Sequence, residues 1–345
     1  MKTKKIFILS FVFVLAIAAQ AAAFGGFRWT AKVPSVSSGL AVHQNLLVFG
    51  DTAGTLHALN RANGHEVWRY NASGSIVGTP SFENDKVVFA TADANVICLN
   101  VNDGSFVWKY SPPLDENLAF GIEDSAVLGG GMTYFTMSDR NLYALNSSGQ
   151  VAWKYRGGDQ GLRTAPVYAD GLVFLGEYDG VFSIINAKSG KRENGGGAGG
   201  AINTPALNGG NVYYSSWDGT VQAVQIKSVI PLWSASAGDP ITTSPVVGEG
   251  VIVVGTGRGR IVAFNEKTGD FMWNFEAGNG SIVATPIIAG GKVIAASEGG
   301  QLFSLDLKNG RQRDAYNIQG LHTDPAYADN TFYFAEGGTI YAIGD

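Results

Sequence analysis

The phrase DTAGTLHALN at residues 51–60 returns as TADANVICLN at 91–100, MSDRNLYALN at 137–146 and EYDGVFSIIN at 177–186. It comes back as SWDGTVQAVQ at 216–225, GRGRIVAFN at 257–265, EGGQLFSLD at 298–306 and EGGTIYAIG at 336–344. Each copy is a turn followed by a short apolar run. With the residue before that run as anchor (Gly54, Asn95, Asn141, Gly180, Gly219, Gly259, Gly300, Gly338), the gaps are 41, 46, 39, 39, 40, 41 and 38 residues. A period near 40 with strand-like content marks a β-propeller in which each repeat is one four-stranded blade. The expected fold is all-β, with eight blades of four antiparallel strands.

One repeat shows the grammar. ITTSPVV (241–247) reads as a first strand, GEG as a turn and VIVVGT (251–256) as a second strand. GRGR is a turn, IVAFNE (261–266) a third strand, KTGD a turn and FMWNFEA (271–277) a fourth. The runs are short, β-branched or aromatic, and bounded by Gly, Asn and Asp, as antiparallel hairpins require. The total of 47 glycines follows from the number of tight turns per blade. The fourth strands carry Trp68, Trp108, Trp153, Trp233 and Trp273, each four residues after a turn glycine or, for Trp233, after Val229. Asn194 and Asp314 replace the indole in two blades. A recurrent indole suits packing between blades, with its N–H bonded to backbone.

FRWTAKVP (27–34) resembles a fourth strand but precedes any first strand, and the segment from Pro325 stops after three. The two fragments complete one blade, so the ring closes by joining both ends of the fold. That removes strand edges which would otherwise invite aggregation. Residues 24–345 are read as a single domain. The glycine run GGGAGG at 195–200 is read as an irregular link after the fourth strand of its blade.

Residues 1–23 read as a secretory signal peptide: Lys2, Lys4 and Lys5, an apolar stretch, then three alanines before the cleavage site. The expectation is an exported protein, periplasmic or extracellular, with no transmembrane span after cleavage. No cysteine lies near that site, so a lipoprotein anchor is not expected. Removing three lysines and no acid leaves 21 basic against 29 acidic residues, a net of −8. A nucleic-acid partner is not expected, since phosphate binding needs clustered Lys and Arg. Cys98 is the only cysteine, which rules out an intramolecular disulfide; it stands where other repeats have Ala58, Ala144, Ala223 or Ala263 and is read as a small core residue. The chain is read as a monomer by itself.

The phrases ALNRANGHEVW (58–68), CLNVNDGSFVW (98–108) and AFNEKTGDFMW (263–273) resemble the tryptophan-docking repeat of quinoprotein-type propellers, the PQQ-like repeat family. The resemblance covers essentially the whole chain after residue 23. The family includes eight-bladed quinoprotein alcohol dehydrogenases and the smaller BamB-type outer-membrane assembly propellers, which bind no quinone. In length and expected export the chain is more similar to the second group. The enzyme group carries an adjacent cysteine pair against the cofactor and a calcium site of acidic and amide ligands; no segment here matches those motifs. The resemblance therefore implies no bound cofactor, with pyrroloquinoline quinone (PQQ) and calcium as the alternative.

His43, His57, His65 and His322 have no HExxH spacing, and there is no GxSxG elbow or Walker A sequence. Without a catalytic constellation, the leading reading is a non-catalytic scaffold that binds a protein or peptide on one propeller face. The alternatives are a PQQ- and calcium-dependent oxidoreductase, or a propeller that binds carbohydrate or another small ligand. Loops joining second to third strands, and fourth strands to the next blade, share one face. There the longest interval reflects an insertion at 111–124, SPPLDENLAFGIED, with Asp115, Glu116, Leu118, Phe120 and Asp124 as candidate contacts. Tyr178 and Trp217, in loops of neighbouring blades, form a candidate aromatic pair, and Arg163 and Arg258 are candidate polar contacts. For any one of these residues the competing reading is a solvated turn, with Asp closing it through its own side chain.

Overall fold

The computed structural model describes residues 26–113, 121–122, 124–162, 164–278, 280–282, 284–317, 323–336 and 338–344. These residues form 32 strands, β1 to β32 in chain order, arranged as eight four-stranded sheets. Blade 1 gives the pattern: β2 (Ala41–His43), β3 (Leu46–Gly50), β4 (Thr55–Asn60) and β5 (Glu66–Asn71) pair in order as an antiparallel meander. Blades 2 to 7 repeat it over 76–110, 127–156, 167–197, 206–236, 246–276 and 287–317. First strands of successive blades touch one another, which puts them around the axis and the fourth strands at the rim.

Blade 8 is composite. β30 (Ala326–Ala328), β31 (Thr331–Glu336) and β32 (Thr339–Gly344) are completed by β1 (Phe27–Lys32), with Trp29 opposite Ala342. The Gly344 N–H also donates to the Gly26 carbonyl at 2.9 Å. The eighth blade expected from the two sequence fragments is thus formed.

Two strand readings need correction. The first strand of blade 6 covers only Val246–Gly248, not 241–247; Pro245 has no N–H to give a ladder, and upstream only the isolated bridge Ile241–Thr256 remains. Gly195, Gly196 and Gly197 belong to a strand, β17 (Arg192–Gly197), paired with β16 (Val181–Asn186). A Cβ on Gly195 would lie 2.1 Å from the Phe182 carbonyl oxygen, so the close approach of the two backbones requires glycine.

Middle strands lie between two neighbouring blades, so both faces are buried and the sequence runs apolar without alternation: LLVFG of β3 is buried throughout. Outer strands alternate, as in EVWRYN of β5, where Trp68 is buried between exposed neighbours. The core consists of eight apolar clusters, one at each seam between adjacent blades.

The tryptophans organise these seams. Each indole leaves its own blade and lies against the turn between third and fourth strands of the next. Trp68 Nε1 donates to the Val101 carbonyl (2.9 Å), Trp153 to Ala187 (2.9 Å), Trp233 to Glu266 (3.0 Å), Trp273 to Leu307 (2.8 Å) and Trp29 to Arg61 (2.7 Å). Three residues beyond the acceptor stands a glycine at positive φ whose missing Cβ makes room for the ring; at Gly104 a Cβ would sit 2.7 Å from Trp68. Trp108 meets Gly149 in the same way. Within its own blade each indole faces a small residue across the ladder, Ala58, Cys98, Ala144, Ala223, Ala263 or Ala342.

The two exceptions depart together. Asn194 faces Ile184, and the next blade has Val229 where the glycine would be. Asp314 faces Ser304, and the next blade is the composite one, whose third and fourth strands are joined by no turn. Stacked rings take over part of the filling, Phe182 on Tyr214 at 4.2 Å and Phe334 on Tyr341 at 5.0 Å between centroids.

Candidate partner-binding face

Blades 4, 5 and 6 present Tyr178, Trp217 and Arg258 from the turn between their second and third strands. Each turn is tied at its base: Tyr178 N–H donates to the Gly161 carbonyl (3.3 Å) and Trp217 N–H to the Ala201 carbonyl (2.9 Å). Backbone pairing to the preceding connection fixes where these side chains emerge. Trp217 is 49% exposed, unlike the docked indoles. Its ring meets Tyr178 edge-on, centroids 5.7 Å apart and planes at 61°, so the expected aromatic pair is in contact.

The acids around it are largely engaged in shaping turns. Asp218 accepts from Ser216 Oγ, from Thr220 N (2.9 Å) and from Gly199 N (2.5 Å). Burial works against its charge, but these hydrogen bonds outweigh it and hold the carboxyl below its usual range. Asp93 behaves alike: burial opposes, while Thr91, Ser73 and Asn95 prevail. Arg258 is mostly exposed, with Nη1 3.3 Å from Asp239 Oδ1; Arg260 Nε takes the other oxygen at 2.5 Å. Asp239 is thereby paired from both sides, and the Arg258 side chain is anchored while reaching into solvent.

Asp124 has a different place. Oδ1 accepts from Ser125 N (2.7 Å) and Oδ2 from Ala165 N (2.8 Å), tying blade 3 to blade 4 near the axis. Burial raises its carboxyl above the usual range. Its oxygens are committed to the scaffold, whereas Trp217 and Arg258 face outward. Asp115, Glu116, Leu118, Phe120 and Arg163 lie outside the described residues.

Two features went unread in the sequence. His57 is buried in blade 1 with Nδ1 2.8 Å from Glu66 Oε1 and Nε2 3.1 Å from Asp51 Oδ2, and it stacks on Phe49. Only the alternation HisAlaLeu at 57–59, a polar residue on a buried strand, hinted at it. The joint departures at Ile184, Asn194 and Val229 mark a change at one seam, visible only once the indole and glycine are known to belong to successive blades. Among the described residues no three His, Cys, Asp or Glu side chains are grouped so as to hold a metal ion. No helix among them is long and apolar enough to cross a membrane.

The model of the outer membrane protein assembly factor BamB family matches residues 16–228 and 218–343. The chain belongs to this family. BamB of Shewanella oneidensis is 24% identical over 292 residues, spanning 80% of this chain and 72% of its own. The tetrathionate hydrolase of Acidithiobacillus ferrooxidans is 27% identical over 288 residues, spanning 73% of this chain and 56% of its own. The crystal structure of BamB from Moraxella catarrhalis superimposes with a TM-score of 0.78 at 17% identity, covering 92% of this chain and all of that one, which shows a common fold. The BamB-like propeller scaffold is thus shared, and the seam pattern above describes how this chain builds it.

Proposed function

We propose that this protein is an exported, non-catalytic scaffold that holds a protein or peptide partner on the face carrying Tyr178, Trp217 and Arg258, as an assembly factor of the BamB type. The single observation that carries this is Trp217. Six of the seven indoles are used between blades, and the seventh stands on the loop face, nearly half exposed and supported by Tyr178. A rigid amphipathic ring beside an anchored arginine is the composition that interfaces favour at their centre. The connection from β9 to β10, which carries the insertion at 111–124, would extend the contact. Residues 1–23 act as the export signal, leaving residues 24–345 as one domain, and the scaffold needs no cofactor.

The test is site-specific photo-cross-linking in the native host, with the probe placed at Asp179, next to Tyr178. A discrete cross-linked protein, lost when Trp217→Ala is introduced and weakened when 112–117 are removed, is the expected result. Cross-links unchanged by both alterations would overturn the assignment of this face.

A further inference from the structure

We infer that the seam of blades 3 and 4 holds a second binding site, on the face opposite Trp217, for a small amphipathic molecule with a carboxylate head. A cavity of about 930 Å³ opens there, between the first hairpins of blades 3 and 4 and the turns before the fourth strands of blades 4 and 5. That volume lies in the range that encloses a small ligand. Tyr134 lines it although the residue is only 1% exposed, and Tyr168 stacks on it with centroids 5.8 Å apart and planes at 10°. Neither hydroxyl has a hydrogen-bond partner among the described residues, whereas Tyr143, Tyr213 and Tyr214 each donate to a neighbouring side chain. Burial, then Tyr168 and Glu83, push the Tyr134 phenol well above its usual range, so it remains a donor at neutral pH.

The repeat itself shows what is missing. Tyr134 is the third residue of β11 (Met132–Thr136), as Tyr213 is of β19 (Asn211–Ser215) and Tyr333 of β31. Each lies beside the docked indole of its own blade, with centroids 5.9 Å from Trp153, 6.2 Å from Trp233 and 5.9 Å from Trp29. The residues of the next blade whose carbonyls receive those indoles are Ala187, Glu266 and Arg61. Between blades 5 and 6 the Glu266 carboxylate meets the tyrosine, accepting from Tyr213 Oη at 3.0 Å and from Asn208 Nδ2 at 2.7 Å. Between blades 8 and 1 the residue is Arg61, whose guanidinium pairs with Asp329. Between blades 3 and 4 Ala187 has only a methyl group to offer, which leaves the Tyr134 hydroxyl without an acceptor. A buried donor left unpaired is costly, and an acceptor supplied from outside removes that cost.

The remaining lining favours an acid with an apolar body. Lys188 and Lys227 stand exposed at the cavity and make no ion pair among the described residues. Two acids also line it: Glu193 is engaged by Asn186 Nδ2 at 2.6 Å, while Asp170 lies exposed in the first turn of blade 4. Glu83, the acid that faces Tyr134 from blade 2, accepts from the Gly131 N–H at 3.0 Å. Two phenols and two ammonium groups thus stand against one unengaged carboxylate. Met132, Leu172 and Val229 join the stacked rings as an apolar wall. A carboxylate can accept from the phenols and the lysines together, in charge-assisted hydrogen bonds, while an alkyl chain covers the wall.

Isothermal calorimetry with octanoate tests this, against octanamide and octylamine, which keep the chain and change the head. The protein is wild type, Tyr134→Phe, which removes one hydroxyl and keeps the ring, or Ala187→Glu, which puts the chain's own carboxylate where Glu266 has it. Octanoate should bind wild type, and about tenfold or more weakly to either variant; octanamide should bind wild type about tenfold or more weakly than octanoate does. If Ala187→Glu does not fold, Tyr134→Phe decides. No binding of octanoate, equal binding of octanamide, or tighter binding of octylamine would overturn the proposal. So would octanoate affinity unchanged in Tyr134→Phe or in folded Ala187→Glu. No residue of the loop face enters this measurement, so the two sites fail independently.

Discussion

Substituting Gly104 by Ala places a methyl group 2.7 Å from the Trp68 ring at a φ of +71°. Two costs add: left-handed backbone disfavours a Cβ by about 1–2 kcal/mol, and overpacking adds about 1–3 kcal/mol. Gly104→Ala should therefore destabilise by about 2–5 kcal/mol, and Trp68→Ala by about 3–5 kcal/mol through the cavity it leaves. The double variant should cost clearly less than the sum, because the clash disappears with the ring. Urea unfolding midpoints of the four proteins measure this, and additivity would refute the pairing. Cys98 makes a second test. It is fully buried opposite Trp108, and burial pushes its thiol up to about 11. The neutral thiol therefore persists through pH 8. Native protein should react slowly with a thiol reagent at that pH, with a rate still climbing about tenfold per pH unit between pH 7 and 9 because the thiolate fraction does so below the pKa, and should show one rapid thiol after denaturation.

β1 is held by pairing with β32 and by Trp29, whose indole reaches the Arg61 carbonyl on blade 1. A chain beginning at residue 34 loses both ties and leaves the β32 edge open. It should elute as soluble aggregate on gel filtration and be cut by protease within blade 8 sooner than the intact chain; equal resistance would contradict the closing role of β1. Most of this was legible in the sequence, because strands between blades are apolar on both faces and most turns repeat a glycine. The ring count and composite blade followed from that. The short first strands were not legible, since Ile241 looks like a strand residue and only the proline behind it limits the ladder. Nor was β17: glycines carry no hydrophobic pattern, and close backbone approach to Phe182 is a three-dimensional fact. Of the site, Trp217 and Tyr178 were legible as departures from a repeat. Asp124 was misleading, because an acid in a loop reads the same whether it faces solvent or bridges two blades.

The eight seams make the molecule a closed sequence of nearly equivalent contacts, and closure does not depend on where the covalent chain is interrupted. Gly26 and Gly344 are already hydrogen-bonded neighbours. A circular permutant with 26 and 344 joined by a short glycine turn, and new ends between Gly209 and Gly210, should fold to the same spectrum with a similar Tm. A Cβ at either of those glycines would meet nothing within 4 Å, so new ends there disturb no packing. Failure of the permutant to fold, by circular dichroism and calorimetry, would mean that the native break in blade 8 matters beyond geometry.

The composite blade also sets a timetable. During synthesis β1 leaves the ribosome first, yet its partner β32 is completed only when residue 344 has been added. Through nearly the whole of translation the chain carries an orphan strand with an indole that has half its surroundings missing. The ring therefore acts as a test of length: a product lacking its final hairpin shuts no gap, keeps one raw border on each side, and is left to quality control, while the complete product hides both borders in a single late step.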